Sequence, residues 1–219
     1  MFVGHYGVAF LVKRFEKQIP LWQLFLAVQF VDVLWCVFIL LGVEKARITQ
    51  DYRGSLPLDL SYMPYTHSLI AAIVWSIVAY LACWSFALKS KPSAQRVSLL
   101  VALAVLSHWI LDWLVHRPDL PLYDNAHKMG LALWNYPLAA LVLETGIYFG
   151  GMWLYLRATS ATTFPGKYGM AILGFVILAI QVIVFWWPVL PNANIAAVVF
   201  LVGYLQLAAA AGWLEKKRA

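Results

Sequence analysis

The residues able to bind a metal ion or move a proton are few in this chain, and their spacing groups them. In the segment LSHWILDWLVH, His108, Asp112 and His116 stand four positions apart. On a helix with 3.6 residues per turn they drift by only about 40° per step and share one stripe. An imidazole and a carboxylate on one helical face form a ligand pair for a first-row divalent ion. Four further ionisable residues, His5, Asp32, His67 and Glu144, lie in or at the end of long apolar blocks. A carboxylate at the centre of a membrane helix costs at least ~2.5 kcal/mol, so each such residue demands a partner. All five histidines fall within the first 127 residues, which confines this chemistry to the front of the chain.

The elements that must position these residues are apolar. Of the residues 63% are hydrophobic and 12% charged, and the mean hydropathy is +0.76. Soluble domains carry about a quarter charged residues. Six blocks, residues 21–43, 67–88, 97–116, 131–156, 169–187 and 194–214, approach the roughly 20 residues a membrane helix needs. A shorter block, residues 1–12, ends at Lys13, Arg14 and Lys17. The expected fold is all-α: a polytopic transmembrane bundle of six long spans plus a short N-terminal inserted helix, about seven segments. It forms a single integral membrane domain, 1–219, with metal-site helices in 1–157 and two accessory spans in 169–214. Pro20, Pro92, Pro165-Gly166, Pro188 and Pro191 punctuate the spans.

Charge sets the expected orientation. Lys13, Arg14, Lys17, Lys89, Lys91, Arg96, Arg157, Lys167, Lys216, Lys217 and Arg218 fall on one side of the spans. Lys45, Arg47, Arg53, Arg117 and Lys128 fall on the other. The richer side is cytoplasmic by the positive-inside rule, which puts the C-terminus inside and loops 44–66 and 117–130 outside. The net charge of +6 is thereby explained by topology, and no nucleic-acid partner is expected. No small-residue cleavage site follows the first apolar stretch, so no cleavable signal peptide is expected. Cys36 and Cys83, both in apolar runs, supply neither a disulfide framework nor a thiolate zinc site.

Helix rise turns spacing into depth. Asp32 lies ~18 Å above Pro20, His108 ~17 Å above Val97, Glu144 ~20 Å below the outer edge of its span, and His5 ~12 Å above Lys13. His67 opens its span from the outer side. The ligands therefore converge in the middle to outer half of one bundle. Two rival roles use the same residues: interhelical hydrogen-bond glue and a proton or ion pathway. His127 reads as a surface histidine and Arg117 with Asp119 as a polar cap, Asp119 being placed to support a ligand as well. Trp109 and Trp113 read as packing.

The order His5, Asp32, Thr66-His67-Ser68 and His108-x-x-x-Asp112 resembles a bacterial family of membrane-bound metal-dependent hydrolases that includes LexA-binding inner-membrane proteins. The segments FVGHYGVAF, PYTHSLIAA and SHWILDWLVHRPDLPL carry the likeness, which covers residues 1–157. That family is similar in motif order to the zinc-dependent phospholipase C and single-strand nuclease superfamily. The resemblance implies His5, Asp32, His67, His108 and Asp112 as metal ligands, and location in a bacterial inner (plasma) membrane. Two positions depart from it: Met63-Pro64-Tyr65 replace a His-Arg-Gly, and Ala140 replaces the His that precedes the Glu matched by Glu144. A likeness to the seven-helix zinc hydrolases that include alkaline ceramidases and adiponectin receptors is architectural only, since no histidine follows His127.

The expected activity is hydrolysis of a phosphoester or lipid-like substrate, reached from the outer leaflet, with one or two divalent ions, zinc foremost. Glu144 or His116 is the expected general base or additional ligand, with Ser68 and Tyr65 supporting the ligands. The expected partners are the lipid bilayer and an amphiphilic substrate. An ion-coupled transporter or permease and a noncatalytic scaffold are the alternatives. Neither repeated halves nor broken helices, which transporters commonly show, is visible in the sequence.

Overall fold

A computed structural model describes residues 1–49, 57–85, 93–186 and 190–218. Arg53, Lys89, Lys91, Pro92 and Pro188, used above for loops and orientation, lie outside the described residues. The architecture is all-helical apart from one small hairpin. The helices are α1 (Val3–Phe15), α2 (Leu21–Val28), α3 (Phe30–Leu40), α4 (Leu69–Cys83), α5 (Ala94–Val115), α6 (Pro137–Ala158), α7 (Phe164–Trp186) and α8 (Ala193–Glu215). Strands β1 (Lys45–Ile48) and β2 (Leu58–Tyr62) pair antiparallel, Arg47 opposite Asp59, with a register irregularity between Lys45 and Arg47.

Among the described residues four helices, α5 to α8, are long and apolar enough to cross a membrane; α2 and α3 together make a fifth only as a bent pair. This corrects the expectation of six long spans, and the reasons are local. The 21–43 block breaks at Gln29, whose backbone leaves the helical region (φ −105°, ψ 8°), and the two halves diverge by 57°. The buried Gln29 side chain donates to the Phe2 carbonyl at 3.2 Å. A polar side chain held sideways by another helix sets the bend there. The described part of the 67–88 block holds a 15-residue α-helix, about 22 Å of rise against a ~30 Å hydrocarbon core, residues 86–88 lying outside the described residues. Its start is fixed by Ser68, whose hydroxyl accepts from the Ala71 N–H at 3.1 Å and donates to the Pro64 carbonyl at 2.7 Å.

Helix α1 is the centre of the bundle. Nine of its 13 residues are buried, among them Val3, His5, Tyr6, Ala9 and Phe10, while Val8, Leu11, Arg14 and Phe15, spaced along one helical stripe, form its open face. It packs on α6 through glycine: a Cβ on Gly151 would stand 2.2 Å from the Gly7 carbonyl oxygen, and one on Gly7 2.3 Å from that of Ile147. Only bare backbone allows that approach. The start of α1 has no cap of its own. Glu144 on α6 supplies it, Oε2 accepting from the N–H groups of Phe2 (2.9 Å), Val3 (3.0 Å) and Gly4 (3.4 Å). At the other end Lys13 pairs with Glu215 of α8 and donates to the carbonyls of Lys17 and Ile19.

Helices α2, α5 and α7 also pack on α1, and the others on these in turn. Helix α4 lies along α5, and α8 packs on both α2 and α3. The loop after α5 folds back over His116: the N–H of Ala132 donates to the His116 carbonyl at 2.7 Å and that of Leu131 to Trp113 at 2.8 Å. Gly130, at φ 156°, has no room for a side chain, since a Cβ would meet the His116 carbonyl oxygen at 2.4 Å.

Candidate metal centre

The break at Gln29 aims α3 so that Asp32, one turn on, faces α5. Helix α5 presents His108 and Asp112 on the stripe its spacing predicts, and His116 caps its C-terminus. Helix α1 brings His5 and the turn before α4 brings His67. The six side chains meet. His108 Nε2 is 3.1 Å from Asp112 Oδ2 and 3.5 Å from Asp32 Oδ1. His67 Nε2 is 3.2 Å from Asp32 Oδ1 and 3.8 Å from Asp112 Oδ2. His5 Nε2 is 3.2 Å from Asp112 Oδ1, and its ring stacks on His108 with centroids 3.9 Å apart. His116 Nε2 is 3.6 Å from Asp112 Oδ2. The Met1 amino group pairs with Asp112. His5 and His108 are fully buried and Asp112 is 1% exposed.

Which imidazole nitrogen carries the proton follows from the partner of the other. His108 Nδ1 lies 2.7 Å from the Val28 carbonyl, a group that only accepts, so Nδ1 holds the proton. His116 Nδ1 donates to Asp119 Oδ1 at 2.9 Å. His67 Nδ1 faces Thr66 Oγ1 at 2.8 Å, and that hydroxyl donates to Glu44 Oε2 at 2.6 Å. With Glu44 ionised, the hydroxyl has spent its proton and must accept from His67. Three rings are thus held through Nδ1; Nε2 of His67 and of His108 faces both Asp32 and Asp112, and Nε2 of His116 faces Asp112. Metal-binding histidines are oriented by this kind of outer hydrogen bond.

Glu44 itself is 1% exposed and accepts further from the N–H groups of Tyr65 (2.8 Å) and Thr66 (2.9 Å). Burial nonetheless pushes its carboxyl above the ordinary glutamate range.

A cation fits this donor set. Two groups, His5–Asp32–His108 and His67–His108–Asp112, each bring three ligand atoms within 4.8 Å of one another. His108 Nε2 is buried and, despite its nearness to Asp112, makes no hydrogen bond. A lone pair facing a carboxylate is repulsive; a cation between them, or a proton on the ring, removes the repulsion. Because the groups share His108, they describe one compact centre and not two independent ones.

The other residues singled out from sequence fall as follows. Glu144 is buried at the α1 N-terminus, with Oε1 3.5 Å from Gln181 Nε2. Ser68 is the cap of α4, and Tyr65 is 49% exposed, reaching the site only through its N–H to Glu44. Trp109 Nε1 donates to the His67 carbonyl at 2.9 Å, adding a positioning bond to its packing. His127 is exposed and bonded to the Tyr123 hydroxyl at 2.8 Å. Sequence reasoning passed over the back of the chain, yet α8 contributes Tyr204, whose hydroxyl donates to Asp32 Oδ2 at 2.9 Å. Gln181 of α7 and Glu44 were likewise passed over. A neutral Tyr or Gln in an apolar run raises no charge alarm, and Glu44 sits among ordinary loop polar residues.

Comparison with protein-family models, with curated proteins and with solved structures finds no match to this chain, so its function is read from the geometry.

Proposed function

We propose that the chain is a membrane-embedded, metal-dependent hydrolase of a bacterial inner membrane, with its C-terminus in the cytoplasm. The observation that carries this reading is the convergence of Nε2 atoms from several histidines on Asp32 and Asp112, three of the rings fixed through Nδ1. His67, His108, Asp32 and Asp112 are the ligands, with His5, stacked on His108, the further one, for one or two divalent ions, zinc foremost. The resemblance to membrane-bound metal-dependent hydrolases supports the same set.

A divalent ion supplies Lewis acidity toward a phosphoryl or carbonyl oxygen and acidifies water. His116 lines the cavity beside the cluster, with Asp119 behind its Nδ1, so Nε2 can take up the proton that hydrolysis releases. Glu144, its Oε2 engaged by three N–H groups, is the weaker base. Tyr204 steadies Asp32.

The test is metal analysis of the full chain purified in detergent, with turnover measured on p-nitrophenyl phosphate and a p-nitrophenyl ester. Wild-type protein carries zinc or another transition metal, and His108→Ala loses it by more than the ~10- to 100-fold that removal of an outer hydrogen-bond partner costs. Absence of any transition metal overturns the centre. Metal without turnover of either probe overturns the hydrolase and leaves a scaffold or an ion-coupled permease.

A further inference from the structure

A cavity of about 680 Å³ opens between α7 and α8 and ends on the His/Asp cluster. Its two ends differ in chemistry. Ile183 and Val184 of α7 and Val199 and Val202 of α8 wall it with hydrocarbon, whereas Asp32, His67, Asp112 and His116 form its floor. At the mouth Ile183, Val199 and Val202 are 53%, 49% and 46% exposed. They lie on two of the four helices of membrane length, so this opening faces acyl chains rather than water.

Two further observations bear on the occupant. Trp35 and Gln181 line the cavity, are 4% and 1% exposed, and each keeps a buried polar atom, Nε1 and Oε1, without a hydrogen-bond partner. Such groups are rarely left unpaired, and here they stand where apolar wall gives way to polar floor. Gly203 lines the cavity mid-helix, and a Cβ built on it meets no atom within 4 Å. Glycine weakens a helix relative to alanine. At Gly7 and Gly151 a tight helix crossing justifies the bare backbone; at Gly203 nothing crowds the position, and what the missing side chain provides is width in the cleft.

We propose that the α7–α8 cleft seats the hydrocarbon chain of a bilayer lipid, which enters sideways from the membrane and sets an ester or phosphoester linkage beside Trp35, Gln181 and the cluster. The nature of the linkage rests on the hydrolytic reading above; the seat for the chain does not. A freely soluble metabolite would leave the long apolar wall uncovered, while a lipid covers it without leaving its own solvent.

The test uses the full chain in nanodiscs of phosphatidylethanolamine and phosphatidylglycerol, doped with a phospholipid bearing a diazirine near one chain end. After irradiation, peptide mass spectrometry locates the adducts. Adducts are expected on Trp35 and Leu207, cavity-lining residues only 4% and 7% exposed that bulk lipid does not reach. They are lost in Gly203→Trp and kept in Gly203→Ala, and Val199→Trp serves as a second plug should Gly203→Trp fold poorly. Adducts confined to outward residues such as Leu138 and Val142, or cleft adducts indifferent to both plugs, overturn the proposal. Chelator-treated protein keeps the adducts, so loss of the metal reading leaves the chain seat standing. Conversely, metal and turnover of p-nitrophenyl phosphate without cleft adducts sink the seat alone.

Discussion

At the residue scale, the informative atoms are the Nδ1 nitrogens that face away from the cluster. Each is committed to a different kind of acceptor: the Val28 carbonyl, the Asp119 carboxylate and the Thr66 hydroxyl backed by Glu44. The last is the most exposed to test, because valine matches threonine in shape. Thr66→Val leaves His67 Nδ1 without its partner and frees the ring to flip; the expected outcome is metal affinity weaker by ~10- to 100-fold with the fold retained. Competition with a chromophoric chelator measures it, and unchanged affinity would show that the hydroxyl does not orient the ring. Much of this was legible in sequence. Helical periodicity alone places His108, Asp112 and His116 on one stripe, and the penalty on buried charge singles out His5 and Asp32. The outer partners were not legible, since Glu44 and His67 lie 23 positions apart across a hairpin whose strands are only 4 and 5 residues long. Tyr204 carries no charge to betray it.

At the element scale, two helices owe their placement to groups outside themselves. Helix α1 begins on a carboxylate lent by α6, and the α2–α3 bend is held by Gln29 reaching the Phe2 carbonyl. Neither could be read from a run of apolar residues: 21–43 contains no internal proline or glycine before Gly42, and α1 carries no capping residue of its own. Glu144→Ala removes the acceptor for three N–H groups in a dry environment. It should destabilise the protein by at least the ~1–2 kcal/mol of a lost helix cap and loosen His5 from the cluster. Thermal unfolding in detergent with metal content measured in parallel checks both. A wild-type melting temperature in Glu144→Ala would mean that α1 is held by packing alone.

At the scale of the whole molecule, the contact between α1 and α6 decides whether a centre forms at all. Gly151 has the Gly7 carbonyl oxygen 2.2 Å from where a Cβ would stand, and the obstruction is backbone, which does not swing aside. Gly151→Leu therefore pushes the two helices apart and withdraws His5 and the Glu144 cap together. The expected cost exceeds the ~1–3 kcal/mol of ordinary overpacking, with metal lost as well. Gly146→Leu, at a position where a Cβ meets nothing within 4 Å, is the control and should leave both unchanged. Equal behaviour of the two variants would refute the close crossing. The same contact has a temporal side. Helix α1 docks against a carboxylate 142 positions later in the chain, counted from Phe2. Until α6 arrives, α1 has neither its N-terminal acceptor nor its glycine groove, and 13 residues are too few to hold a place across a bilayer alone. The seat of α1 can therefore be completed only once α6 has been made, so His5, early in the chain, is one of the last side chains to be fixed at the cluster.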